Sequence, residues 1–91
     1  MRTITHVAIK YNDVVYSLPA PNRHMHVRRM LSKQFPEANN LDFDREPNVA
    51  GFLDSDGRFL NRKQAGAIAI VAKQVRTGTL RLGELTSEDV W

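Results

Sequence analysis

The chain has 91 residues and no cysteine. The absence of cysteine excludes a disulfide framework, thiolate ligands for zinc and a cysteine nucleophile. No apolar run approaches the roughly 18 residues that a membrane-spanning helix needs, and the first residues do not resemble a signal peptide. We therefore expect a cytoplasmic protein with no membrane contact. A chain of this length forms a single domain over residues 1–91, and its modest buried surface favours association with other copies.

Catalytic and cofactor motifs are also missing. The sequence contains neither a glycine-rich phosphate loop nor a nucleophile elbow around any serine. His24 and His26 are two positions apart, so on a helix they point to different sides and do not share a metal ion comfortably. Asp54 and Asp56 flank a turn and are explained by turn chemistry. We expect no enzyme activity, no metal site and no cofactor.

Basic residues outnumber acidic ones by three, and the two kinds are unevenly distributed along the chain. The formal net charge is +3, which is small for a protein dedicated to duplex DNA and makes nucleic acid an unlikely partner. Residues 23–33 carry four cations and no acid, whereas the tail from Gly83 carries only acids. This distribution is compatible with a small anionic ligand.

The first half of the chain predicts a hairpin followed by a helix. Residues 3–11 alternate in the manner of a strand, and Asn12-Asp13 forms a short turn into a second strand at 14–18. Prolines end that strand. A helix is expected over 24–34, with Asn22 as its cap. Residues 36–48 are polar and irregular, and they predict a mobile loop anchored by Leu41 and Phe43.

The second half predicts another hairpin and another helix. Strands at 49–54 and 58–60 are joined by the turn signal Ser55-Asp56-Gly57, and Asn61 with Gln64 resembles a capping box. The fold class is therefore α+β: a small antiparallel sheet of two hairpins packed against two helices.

The second helix has an unusual composition. Residues 65–72 are small and apolar nearly all the way round, which is typical of a helix buried on more than one side. Either the sheet and the tail of the same chain cover it, or it lies in an interface between copies. The sequence leaves both alternatives open.

Two basic corners are candidates for an anion site. The first helix begins with cations, which interact unfavourably with the positive end of its macrodipole, and a bound anion would offset this repulsion. The second helix begins at a basic strand-to-helix junction. Phe52 and Phe59 are expected in the core, although either could stack on a base. For Arg58 and Arg62, the sequence leaves open whether they are surface residues or bind the ligand. The candidate ligand-binding residues are Arg23, His24, Arg28, Phe52, Asp54, Arg58 and Asn61.

Three segments resemble a family of small bacteriophage proteins. They are the Arg23-His24 helix start after a Val-Tyr hairpin, the core Gly51-Phe-Leu-Asp through Gly57-Arg-Phe-Leu-Asn-Arg to Ala65, and the ending Ser87-Glu-Asp-Val-Trp91. The best-understood group that they resemble is the anti-Thoeris sponge family. The resemblance implies an antiparallel sheet on two helices, assembled as dimers and then a hexamer.

The same resemblance implies the ligand. It is glyco-cyclic ADP-ribose, an immune signal of the host bacterium, held without cleavage, with cyclic oligonucleotides as further candidates. We expect a phage anti-defence protein that sequesters this cyclic nucleotide. The alternative is a small phage protein that inhibits a host defence or nuclease complex by direct protein contact. A nucleic-acid-binding accessory protein is a third hypothesis.

Overall fold

An antiparallel sheet forms the frame of the protein. The computed structural model describes residues 1–45 and 47–91, with Arg45 described by its backbone alone. Within these residues the sheet has the order β2-β1-β4-β3, and β5 also pairs with β4. The strands are β1 Ile4–Tyr11, β2 Val14–Pro19, β3 Asp44–Arg45, β4 Asn48–Asp54 and β5 Phe59–Asn61.

The helices follow the hairpins in the chain. They are α1 His24–Gln34, α2 Arg62–Val71 and α3 Ser87–Val90, with 3-10 helices at Pro36–Asn40 and Arg81–Gly83. The α+β class is confirmed, and so are both hairpins and the two long helices. Helix α3 was not predicted. Among the described residues, none of the helices has the length and hydrophobicity to cross a bilayer.

The turn between β1 and β2 fixes the register of the first hairpin. Asn12 and Asp13 have φ angles of 49° and 66°, and two consecutive positive φ values define the tight type I′ turn. Tyr11 consequently pairs with Val14, and the pairing continues without a shift as far as His6 and Pro19. Short polar residues tolerate this conformation better than bulky ones.

One hydrophobic core joins the sheet to both long helices. Val7 of β1 lies opposite Phe52 of β4, and both side chains are fully buried. Val27 and Leu31 bring α1 onto this layer. Ala65 and Ala69 bring α2 onto it, and Leu85 and Val90 of the C-terminal segment complete the same cluster.

Helix α2 is covered on one side by its own chain. Its small residues Ala65, Gly66 and Ala69 are buried, and they let neighbouring backbone approach closely. On the other side, Ile70 is 59% exposed and Val71 is 69% exposed. Cover by the sheet and tail of the same chain is therefore incomplete, and the interface alternative stays open for the exposed strip.

The segment at 36–48 is more regular than predicted. It begins with the 3-10 helix and contributes β3. Ala38 and Phe43 are buried, whereas Leu41 is only half-buried. Phe43 is thus an anchor as expected, because its ring packs into the core. Position 46 of the predicted mobile loop lies outside the described residues, and mobility of the segment stays a prediction.

Close approach at Gly66 gives a stability test. A Cβ atom at this position would collide with the backbone oxygen of Gly83, which is hard to displace. Helix propensity alone favours Gly66→Ala by about 1 kcal/mol. We expect the collision to outweigh this gain and lower the free energy of unfolding by at least about 1 kcal/mol, as measured by urea denaturation.

The matched control is Ala67→Gly at the exposed neighbouring position. This change alters propensity without touching the buried contact, so it should cost about 1 kcal/mol. A Gly66→Ala variant that was more stable than the wild type would contradict the close packing of residues 80–83 on α2.

Candidate functional site

At the start of α1, hydrogen bonds within the chain engage the predicted ligand-binding residue Arg23. The predicted cap at Asn22 is wrong: the N-cap residue is Arg23, and the Asn22 amide instead donates to the carbonyl oxygen of Pro19 at 2.8 Å. The backbone N–H of Arg23 donates to Nδ1 of His26 at 2.9 Å. The Arg23 guanidinium donates through Nη2 to the carbonyl oxygen of Trp91 at 2.7 Å. These contacts give Arg23 a structural role.

His24 lies under α1, away from solvent. The imidazole is 8% exposed, and its Nε2 lies 2.7 Å from the carbonyl oxygen of Gly51. A carbonyl oxygen only accepts, so Nε2 carries the proton and donates. The ring also meets Phe52 edge-on, with centroids 5.0 Å apart. A buried, hydrogen-bonded imidazole is not available to an external phosphate.

Nearby charges act on this imidazole. Burial lowers the pKa of His24, and the cations of Arg62 and Arg28 lower it further, while the bond to Gly51 and the carboxylate of Glu88 oppose the shift. His24 is therefore neutral at pH 7. The charges of Arg28 from α1 and Arg62 from the start of α2 thus both act on the same imidazole.

Two further candidates are held inside the fold. Phe52 is fully buried, so its faces are not open to a stacked base. Asp54 is 1% exposed, and its Oδ1 accepts from the backbone N–H groups of Asp56 at 2.9 Å and Arg58 at 3.0 Å. Arg2 lies 3.5 Å from its Oδ2. Asp54 is therefore the acceptor that closes the β4–β5 turn.

The ionisation of Asp54 follows from these contacts. Burial alone would raise its pKa, but the N–H groups of Arg58 and Asp56 and the charges of Arg2 and Arg58 bring the pKa below its ordinary value. The carboxylate is thus charged. Its Oδ1 accepts from the turn and its Oδ2 faces Arg2. The exposed side chain of Arg58 does not line either of the two cavities described next.

A cavity of about 440 Å³ lies at the start of α2, and we call it the α2 cavity. Asn61 lines it while completing the predicted capping box: its Oδ1 accepts from the N–H of Gln64 at 2.8 Å, and the Gln64 side chain accepts from the N–H of Asn61 at 2.9 Å. The cavity also contains two cations and two acids. The full lining is Phe43, Asp44, Val49, Ala50, Asn61, Arg62, Lys63 and Glu84.

A second cavity of about 420 Å³ lies between α1 and the first 3-10 helix, and we call it the α1 cavity. Three cations line it, and its described lining includes no acid. Its polar uncharged groups are a hydroxyl and an amide. The full lining is Arg28, Arg29, Ser32, Lys33, Ala38, Asn39 and Phe43.

Phe43 forms a wall common to both cavities, and we call the pair of cavities the cleft. The Arg28 guanidinium lies over the Phe43 ring, 5.1 Å from its centroid. On the other side, Nε of Arg62 is buried and has no hydrogen-bond partner in the described part of the chain. Within residues 1–45 and 47–91, no carboxylate forms an ion pair with a cation of the cleft. The cleft therefore has more cations than acids in its lining, beside an apolar wall.

The structure brings together a different set of residues from the one predicted. Of the seven candidates, Arg28 and Asn61 line the cleft. The additional lining cations come from neighbouring helical positions, which the local sequence signals as basic but does not orient: Arg29, Lys33, Arg62 and Lys63. The ligand-binding role of every candidate stays a prediction.

Comparison with known protein families matches residues 3–91 to the family described as Phage T4 y16D protein. The chain belongs to this family. The match supports the expectation of a small phage protein and carries no information on cyclic nucleotides or on host defence. None of the curated proteins and none of the solved structures matches the chain.

Buried His24 makes the stability of this y16D-family protein depend on pH. Because the folded pKa is lowered, the unfolded state binds the proton more readily near its ordinary pKa of about 6.5. The stability that neutral His24 contributes is present above that value and is lost as the pH falls through it towards the folded pKa. Urea denaturation at pH 7.5 and pH 5.5 should show a lower free energy of unfolding at the acidic value.

A pair of variants assigns this effect. His24→Gln removes the buried imidazole, so the difference between the two pH values should shrink, whereas His6→Gln retains His24 and should keep the difference. An unchanged pH dependence in His24→Gln would place its origin in another group.

Proposed function

We propose that this phage protein binds a cyclic nucleotide signal of host immunity and sequesters it without cleavage, in the cytoplasm of the infected cell. The cleft is the observation that supports the proposal most directly. Arg28 of α1 lines the α1 cavity and Arg62 of α2 lines the α2 cavity, and neither has a carboxylate partner in the described chain. Two guanidinium groups suit the two phosphates of a cyclic ADP-ribose.

Cavity size and polarity support a ligand of this class. The two cavities together have the volume of a nucleotide-sized pocket. Ser32 and Asn39 add hydrogen-bonding groups on one side of Phe43, and Asn61 adds an amide on the other. Such groups bind ribose hydroxyls and base edges. Glyco-cyclic ADP-ribose, which the resemblance to anti-Thoeris sponges implies, is our specific candidate.

The absence of cleavage is part of the proposal. Among the described lining residues, Ser32 carries the only hydroxyl, and no histidine lines the cleft to activate it. The imidazole of His24 is buried, and its Nε2 donates to the carbonyl oxygen of Gly51. A nucleophile with an adjacent base is the usual requirement of covalent catalysis, so this lining favours binding over turnover.

Direct inhibition of a host protein is the second candidate function. It is favoured by the exposed apolar strip of α2, formed by Ala67, Ile70 and Val71. With Met1 and Arg2, part of this strip lines a third cavity of about 430 Å³. A stoichiometric host protein that is captured by the native chain and lost with Val71→Lys would support this alternative.

Charge reversal in the cleft tests the ligand site. Arg28→Glu and Arg62→Glu each replace an attractive cation by a repulsive acid, so we expect each to weaken binding at least tenfold, because a hydrogen bond to a charged group contributes about 1.5–3 kcal/mol. Isothermal titration with glyco-cyclic ADP-ribose measures the change. Lys73→Glu is the matched control, since it makes the same charge change on an exposed residue beyond the other end of α2.

Recovery of the ligand tests sequestration itself. The protein is incubated with cyclic ADP-ribose isomers, separated from free ligand and heated, and the released compound is identified by mass spectrometry. We expect an intact isomer in stoichiometric amount. The absence of a thermal shift with every cyclic nucleotide tested would contradict the proposal, and recovery of a cleaved product would contradict its non-enzymatic part.

A further inference from the structure

Strand β2 forms one edge of the sheet and lacks the usual protection of an edge. It pairs with β1, and in the described sheet it has no strand on its other side. Natural edge strands carry charges, internal prolines or bulges that prevent pairing with another chain. The sequence Val14-Val-Tyr-Ser-Leu-Pro19 contains no charge, and its proline stands at the last position. Its register with β1 contains no bulge.

The hairpin geometry fixes which backbone groups face outward. Antiparallel partners alternate between pairs that exchange hydrogen bonds and pairs that do not. The type I′ turn makes Tyr11 and Val14 a hydrogen-bonded pair. At the other end of the hairpin, the N–H of Ala20 donates to the carbonyl oxygen of Thr5 at 3.1 Å, which fits the same alternation of bonded and non-bonded pairs. Val15 and Ser17 therefore direct their N–H and C=O groups away from β1.

These outward groups have no other partner. Among the described residues, neither a side chain nor a backbone group from elsewhere in the chain bonds to Val15 or Ser17. The next outward residue, Pro19, has no N–H, and its oxygen already accepts from Asn22. The open edge thus consists of two residues with four backbone groups that have no partner in the part of the chain that the structure describes. The exposed fractions of Val14, 51%, and Val15, 40%, agree with an uncovered edge.

We propose that β2 pairs antiparallel with β2 of a second copy, about a two-fold axis at Tyr16. This register places Val15 opposite Ser17 of the partner subunit and Ser17 opposite the partner's Val15, and it satisfies all outward groups with four hydrogen bonds. Shifting the register by one pair in either direction leaves some of them unpaired. The interface is self-complementary, as a two-fold dimer requires.

Side chains on the pleat fit the same register. Val14 comes opposite Leu18 of the partner subunit, which covers an exposed apolar side chain with another apolar one. Tyr16 comes opposite the partner's Tyr16, beside its present contact with Phe35. No charged side chains are brought face to face. The surface is distinct from the α2 strip, and the proposal does not depend on the ligand of the cleft.

Sedimentation equilibrium of the full chain tests the dimer through a matched pair of variants. Ser17→Pro removes an outward N–H without removing a bond to β1, so it should raise the dimer dissociation constant by tenfold or more. Ser17→Ala keeps that N–H and should leave the constant unchanged. Val71→Lys on the α2 strip should also leave it unchanged. A wild-type monomer from micromolar to millimolar concentration, or an unaltered dimer in Ser17→Pro, would overturn the proposal.

Hydrogen exchange of the wild type gives a second test, which holds even if Ser17→Pro fails to fold. The amides of Val15 and Ser17 should be protected at high protein concentration and unprotected at low concentration. The Tyr16 amide faces β1 and should be protected at both. Rapid exchange of Val15 and Ser17 under conditions where the protein sediments as a dimer would place the interface elsewhere.

Discussion

The hydrogen bond from His24 to Gly51 is the contact on which the arrangement of the protein depends. It ties the first turn of α1 to the strand that pairs with β1, β3 and β5. Gly51 is required there because a Cβ atom would collide with the oxygen of Leu60 and crowd the Phe59 ring. Phe52 continues the contact, since its ring meets His24 on one side and Trp91 on the other.

Neutrality of His24 has a consequence for the cleft. Two arginines lie near the imidazole, and a protonated ring would add a third positive charge to the same region. Because burial keeps the ring uncharged, His24 adds no positive charge to that of Arg28 and Arg62. The cations of the cleft form no ion pair with a described carboxylate, and they contribute a positive potential to this surface.

The C-terminal segment acts at the start of the basic helix α1. Glu88 affects the charge on His24, and the carbonyl of Trp91 accepts from Arg23. The unfavourable cations at the start of α1 are thus relieved from within the chain. Arg28, Arg29 and Lys33 lie further along the helix, where they line the α1 cavity.

Local signals predicted the parts of the fold that local interactions determine. The Asn12-Asp13 turn, the Asn61–Gln64 box and the limits of α1 each depend on residues within a few positions of one another. Long-range contacts were not predictable in the same way. The sequence identifies Asp54 only as a residue beside a turn, whereas the tertiary structure shows that its buried carboxylate closes that turn. Similarly, only the tertiary structure shows that the carbonyl oxygen of Trp91 accepts a hydrogen bond from Arg23.

The sequence predicted that α2 is buried on more than one side, either by its own chain or in an interface between copies. Within one chain, Gly66 and Ala69 are buried whereas Ile70 and Val71 are exposed. The reason is the close approach of residues 80–83, which admits only small side chains on that side. The hydrophobic pattern shows which residues of α2 are apolar. The distance between the backbone of α2 and that of residues 80–83 decides which of them fit on the buried side.

The proposed dimer and the proposed ligand site are compatible because they lie at opposite edges of the sheet. The order β2-β1-β4-β3 puts the dimer axis beyond β2, while Phe43, the common wall of the cleft, directly precedes β3 at the far edge. Each cleft is then lined by residues of one chain, and none of these residues belongs to β2. A dimer built in this way binds one ligand per chain, and neither site needs the other to be complete.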